Sequence, residues 1–320
     1  MRVFVAGHRG MVGRALMRQL EADTAVETLT QSRANLDLTD QAAVHAMLRE
    51  ERPDLVIVAA AKVGGIVANS NLPAEFLYDN LMIEANLIHG AFAAGIGRLI
   101  FLGSSCIYPR ETAQPIVEEA LMTGPLEPTN APYAVAKIAG VEMCAAYSRQ
   151  YGVDFRALMP TNLYGPGDNF HPTHSHVLPA LLSRFHAAAR ARLPEVTVWG
   201  SGRPRREFLH VDDLAHAILF IANLGEARFA AALPDGMRHL NVGTGCDLPI
   251  SDLAAAIAEV TGYRGRIRFD PSKPDGTPRK VLDVRRITGL GWTAEIPFGS
   301  GLAATYSWYV DQAASELRSA

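Results

Sequence analysis

The chain has 320 residues, with 30 Lys and Arg against 33 Asp and Glu, a net charge of −3, 48% hydrophobic and 20% charged residues. That length exceeds most single cores and predicts one large α/β domain with a smaller companion, and the composition excludes the disordered and fibrous classes. The slightly acidic balance argues against a nucleic-acid or anionic-membrane partner, while three widely spaced cysteines, Cys106, Cys144 and Cys246, fit neither a disulfide framework nor paired zinc spacing.

Strand-like RVFVAG begins at Arg2 with no basic leader before it, and the longest apolar run, LVIVAAA, is too short to span a bilayer, so a cytoplasmic chain is expected. From there strand and helix text alternate: VFVAG, MVGRALMRQLEA, AVETLT, AVHAMLREE, DLVIVAA, MIEANLIHGAFAAG, RLIFLGSS, YAVAKIAGVEMCAAYSRQYG and DFRALMPTNLYG. Several strands are nearly continuous apolar runs, as in a sheet buried on both faces. The pattern predicts an α/β chain of the Rossmann type, a doubly wound parallel sheet with a smaller, interleaved α/β substrate domain. Residues 1–164 should form the dinucleotide-binding domain, with return segments near 207–245, and residues 165–206 and 246–320 mainly the substrate domain.

Gly7, Gly10 and Gly13 in AGHRGMVG follow a strand and open a helix, where glycines permit a tight turn and close approach of a pyrophosphate. About twenty residues on, an NAD site would place an acidic side chain; LTQSR has none, and Arg33 there together with Arg9 in the loop suits the 2′-phosphate of NADP. Asp37, followed by Leu38, reads as an adenine-edge contact, with a helix N-cap role as the plainer alternative.

PYAVAKIAG places Tyr133 and Lys137 one helical turn apart, and a neighbouring ammonium favours the phenolate, making the tyrosine a usable acid-base group. The alternative is an ordinary amphipathic helix. Ser104, at a strand end where parallel sheets bind ligands, can hydrogen-bond a substrate oxygen. In this order, the glycine loop, strand-end serine and Tyr-x-x-x-Lys resemble the short-chain dehydrogenase/reductase superfamily, specifically its extended, nucleotide-sugar-modifying branch. The resemblance implies Tyr133 as the acid-base residue, Lys137 on the nicotinamide ribose and Ser104 orienting a carbonyl.

In related dehydratases of that branch the loop FLGSSCIYP carries an acidic residue where this chain has Cys106. A thiol there argues against dehydration and suits removal of a proton next to a ketone; inversion of the carbon then needs an acid on the opposite face, for which His176 in HPTHSHV is the candidate. The plainer readings are a buried packing thiol and a histidine loop that binds metal; no metal is expected, because no acidic or cysteine partner stands at suitable spacing.

From the glycine loop through SKPDGTPRK the likeness to this branch runs almost end to end. It implies a GDP-sugar substrate, Cys106 as epimerisation base and His176 as acid at C3 and C5, then reduction of the C4 ketone by NADPH. It further implies that Met11, Val12, Pro160, Asn162, Leu163 and His176 help line the cofactor, and that Arg184, Trp199, Arg206, Asp275 and Lys280 hold the GDP-sugar. Arginine forks suit a diphosphate and an indole can lie against a sugar or base. The apolar faces of the helices around Leu81–Ala94 and Tyr133–Tyr151 suggest a homodimer. Two other readings stand open: a nucleotide-sugar 4-epimerase or 4-reductase in which Cys106 is a bystander, and a non-catalytic NADP-sensing regulator.

Overall fold

The computed structural model describes residues 1–171, 175–273 and 275–319. In chain order it runs β1 (Arg2–Ala6), α1 (Met11–Leu20), β2 (Glu27–Leu29), α2 (Gln41–Glu51), β3 (Leu55–Val58), α3 (Ile66–Asn71), α4 (Pro73–Ala93), β4 (Arg98–Leu102), α5 (Ala131–Tyr151), β5 (Asp154–Pro160) and β6 (Asn162–Tyr164). It continues through α6 (Val177–Arg190), β7 (Glu195–Trp199), β8 (Arg205–His210), α7 (Val211–Asn223), α8 (Glu226–Ala231), β9 (His239–Val242), β10 (Asp247–Pro249), α9 (Ile250–Thr261), β11 (Arg266–Asp270), β12 (Arg279–Lys280), α10 (Arg285–Gly289) and α11 (Phe298–Ser319).

The expected doubly wound sheet is present as six parallel strands in the order β2-β1-β3-β4-β5-β9. Alternation along β1 sends Val3 and Val5 to one face and Phe4 and Ala6 to the other. On the first face α1 and α7 cover Leu55, Ile57, Ile100, Leu158 and Leu240; on the second α2, α4 and α5 cover Val56, Val58, Phe101 and Phe155. Because β2 and β3 flank β1 on opposite sides, the strand order reverses there and opens a crevice at the carboxyl ends of β1 and β3.

Local chemistry sets the helix limits. Asp40 caps α2 by accepting from the Ala43 amide at 3.1 Å, Pro73 starts α4, and Gly152 ends α5 in the left-handed conformation.

The single strand expected over DFRALMPTNLYG is two. β5 stays in the large sheet, and after Thr161 the chain turns out, so that β6 pairs with β8 in a second sheet. There β10, β8 and β12 lie side by side, and β7 pairs with β11 separately. α6, α9 and α11 pack on this region around Leu182, Phe185, Leu253 and Ile257. The chain crosses between the two regions repeatedly: β8 belongs to the small sheet, the α7 that follows it directly packs on α1, and β9 closes the large sheet.

Candidate active site

The loop from Gly7 to Gly13 closes on its neighbours too tightly for side chains. At Gly7, whose φ is +88°, an added Cβ would lie 2.7 Å from the backbone of Ala60 at the end of β3, and at Gly13 it would collide with the backbone of Gly7 and His8. Gly10 is different: such an atom would meet only the Gly7 carbonyl oxygen, at 3.4 Å. Gly10 is also the N-cap of α1 and no side chain caps it, so the first helical amides, at Met11 and Val12, are open to an anion. Arg9 and Arg33 are exposed and neither is ion-paired among the described residues. Asp37 uses its Oδ1 on the amide and hydroxyl of Thr39, at 2.9 and 2.8 Å, and Leu38 is partly buried against α2 and α4. An uncapped helix start, an open glycine and two unpaired guanidiniums fit a phosphorylated dinucleotide.

At the far end of the crevice β4 delivers Ser104 and Cys106. Ser104 caps a short 3-10 turn, Ser105–Ile107, its hydroxyl accepting from the Cys106 amide at 3.2 Å. The turn is tied down by Tyr108, whose buried hydroxyl donates to Asn241 Oδ1 of β9 at 2.6 Å. Tyr133, from the first turn of α5, reaches Ser104 and stands edge-on to Phe76 of α4. Sequence reasoning has Lys137 pull the phenol of Tyr133 down. The structure has it pushed well up, by burial first and then by the charges of Cys106 and Glu84, against the Ser104 hydrogen bond. Burial is the main reason; the Lys137 ammonium, 5.9 Å from the centre of the Tyr133 ring, is itself engaged by Glu84 Oε1 at 2.8 Å, both side chains almost wholly buried.

Lys280 approaches the reacting end of the site. Expected with Asp275 among the residues that hold the GDP-sugar, it has its Nζ 3.9 Å from Cys106 Sγ, and its charge, with burial as the larger cause, holds His176 below the ordinary histidine range. His176 is the N-cap residue of α6, open to the cleft yet ringed by protein. Of its loop, residues 172–174, including His174, lie outside the described residues. Ser104, Cys106, Tyr133, Lys280 and His176 thus converge on one cleft between the two sheets.

Farther along the cleft, register pairs Lys280 with Arg206, placing β12 and β8 side by side. Trp199, 59% exposed, has the guanidinium of Arg184 at 6.0 Å on its ring and the Lys273 ammonium at 5.8 Å. Arg184 is fixed to the Thr197 carbonyl at 2.8 Å and Arg206 to that of Arg205 at 2.8 Å. Asp275 is already engaged: its two oxygens accept from the amide and hydroxyl of Ser201, at 2.6 and 2.7 Å, latching the 200–203 and 275–280 loops together. Asn162 donates to the Glu207 carbonyl at 2.8 Å, Leu163 packs on the core and Pro160 ends β5.

Two residues that organise the site escaped the sequence reading. Glu207 of β8, fully buried, accepts from the amides of Thr244 (2.6 Å), Gly245 (2.8 Å) and Leu282 (2.8 Å), joining β8 to the loop after β9 and to the residues after β12. Glu84 sits in the apolar helix text MIEANLI, and a lone acid in such a run was the available signal.

The chain matches the NAD dependent epimerase/dehydratase family over residues 3–243. It is 56% identical over 310 residues to a GDP-L-fucose synthase of Escherichia coli (strain K12), covering 97% of both chains, and 51% identical to a probable GDP-L-fucose synthase 1 of Oryza sativa subsp. japonica, covering 98% of this chain and 93% of that one. Among solved structures it is similar to a GDP-mannoheptose C4 reductase from Campylobacter jejuni with NADP bound, with a TM-score of 0.86 at 35% identity, covering 97% of this chain and 98% of the other. The chain belongs to the NAD dependent epimerase/dehydratase family. It is an enzyme, of the extended short-chain dehydrogenase/reductase class.

Proposed function

We propose that the chain converts GDP-4-keto-6-deoxy-D-mannose to GDP-L-fucose, inverting C3 and C5 and then reducing the C4 ketone. The observation that carries this reading is the convergence of Cys106, Lys280 and His176 with Ser104 and Tyr133 on one cleft. A C4 ketone acidifies the C–H bonds on both flanking carbons, so one base and one acid can serve both. Cys106 takes the proton from C3, and later C5, while His176 returns one to the opposite face; Ser104 and Tyr133 hydrogen-bond the oxygen on which enolate charge develops. Arg184, Trp199, Arg206 and Asp275 hold the GDP, and Lys280, beside the sulfur, stabilises negative charge at the reacting end. The glycine loop, Arg9 and Arg33 would hold NADPH, which when bound would supply the hydride for C4. Tyr133 then gives its proton to the C4 oxygen, with Lys137 on the ribose.

The reading takes residues 1–164 with the return near 207–245 as the cofactor domain, supported by α7 and β9 packing with the large sheet, and the remainder as the GDP-sugar domain. It makes the protein a cytoplasmic homodimer with no nucleic-acid or membrane partner. Exposed Tyr78 on α4 and Val135 and Tyr151 on α5 support an apolar dimer face.

The test is to incubate the protein with GDP-4-keto-6-deoxy-D-mannose and NADPH and assign the product's configuration by NMR. GDP-L-fucose is expected. A product reduced at C4 but unchanged at C3 and C5 would make the chain a plain 4-reductase, and no NADPH consumption would favour a sensor.

A further inference from the structure

Directly behind the Tyr133–Lys137 pair lies a buried carboxylate. Glu84, in the middle of α4, is 1% exposed and its Oε1 stands 2.8 Å from the Nζ of Lys137, itself 2% exposed. The ammonium also lies 4.6 Å from the centre of the Phe101 ring. Neither oxygen of Glu84 accepts a hydrogen bond of good geometry among the described residues, and Oε2 lacks even an ion-pair partner there. Its space is kept by Gly140 of α5, where a Cβ would sit 2.9 Å from Oε2 and run into the Phe101 ring. A buried ion pair of this sort gives little net stability over apolar residues, and less when one oxygen is left unpaired. Its use is better sought in the charge it sets on the cleft side.

The groups around the pair are few. From α5 come Tyr133 and, on the opposite side, the Cys144 thiol with Arg238 beyond it; from the turn after β4 comes Cys106, backed by Lys280 and His176; β4 itself presents the uncharged Phe101. The Lys137 ammonium lies 5.9 Å from the centre of the Tyr133 ring, and Glu84 is its counter-ion.

We propose that Glu84 is a positioning residue for the reduction: paired with Lys137, it cancels the ammonium's field at Tyr133 and keeps that side chain a phenol, the form that gives a proton to the C4 oxygen. An enzyme running in the oxidative direction wants the phenolate and is served by an unopposed lysine. One running in the reductive direction wants the O–H. The elevated position of Tyr133, to which burial, Cys106 and Glu84 all contribute, agrees. The inference rests on the assignment of Tyr133 and Lys137 made above.

Glu84→Gln keeps the shape and removes the charge. The test is the pH dependence of NADPH oxidation in a single turnover, with saturating GDP-4-keto-6-deoxy-D-mannose. Reduction needs protonated Tyr133, so its rate falls as pH rises through that group's titration. Loss of the Glu84 charge should move this basic limb to lower pH by roughly one unit or more. Glu84→Asp, which restores a carboxylate set back from Lys137, should shift it the same way by less; should the Gln variant fail to fold, this shift alone decides. A basic limb that superimposes on wild type in the folded variant, with the rate lowered evenly at all pH, overturns the proposal. Tyr133→Phe separates the two layers: it should abolish reduction at every pH, and a variant that still reduces removes the assignment of Tyr133 itself.

Discussion

Replacing Glu207 by Gln keeps the side chain's shape and takes away one of the two acceptor oxygens that together receive three amides. Oε1 receives the amides of Thr244 and Gly245 and Oε2 that of Leu282, and the side chain is fully buried. The less costly amide orientation keeps its oxygen on Thr244 and Gly245 and turns its NH2 toward the Leu282 N–H. Two buried donors then face each other, at about 1–3 kcal/mol for each unsatisfied group, or roughly 2–6 kcal/mol in all. For a chain of this size that lowers the melting temperature by roughly 3–9 °C, read by calorimetry. The damage is local to the joint between β8 and the residues after β12, which carry Arg206 and Lys280. GDP affinity by titration calorimetry should therefore weaken by about tenfold, a loss of about 1.4 kcal/mol, while NADPH affinity changes little. A Glu207→Gln protein that melts and binds GDP like wild type would refute the reasoning.

Arg33→Ala should raise the KM for NADPH by about tenfold and leave that for NADH unchanged, since only the former has a phosphate to lose; equal effects on both would place the arginine elsewhere. Asp168 has a buried Oδ2 with no hydrogen-bond partner among the described residues, and burial pushes its carboxyl up to about 7 from an ordinary 3.8, against the Asn169 amide. Between those values the folded chain binds more protons than the unfolded one, so stability falls as pH rises toward 7. Asp168→Asn should flatten the melting-temperature profile between pH 4 and 7, and an unchanged slope would exclude this carboxyl as its source.

What the sequence disclosed depended on whether the signal was local. The glycine loop announced itself because Gly7 and Gly13 are required by close backbone approach, and strands such as Leu55–Val58 because both their faces are buried. Tyr133 and Lys137 were legible from helical spacing alone. The turn at Thr161 that sends β6 to another sheet was not, because Asp154–Tyr164 reads as one apolar run and the partner, β8, lies more than forty residues away. The two-residue β12 carries no periodicity, so the approach of Lys280 to Cys106 depends on pairing with β8 that composition does not encode. The burial of Tyr133 and the counter-charge on Lys137 both come from elements distant in sequence, and burial above all pushes the phenol up where helical spacing alone predicts it lowered.

The most direct test of the account concerns the sulfur. With GDP-4-keto-6-deoxy-D-mannose in deuterium oxide and no NADPH, the wild-type protein should wash deuterium into C3 and C5, as followed by NMR and mass spectrometry. Cys106→Ser should lose that exchange at both carbons while still binding NADPH; exchange at the wild-type rate in the variant would contradict the assignment of Cys106 as the base.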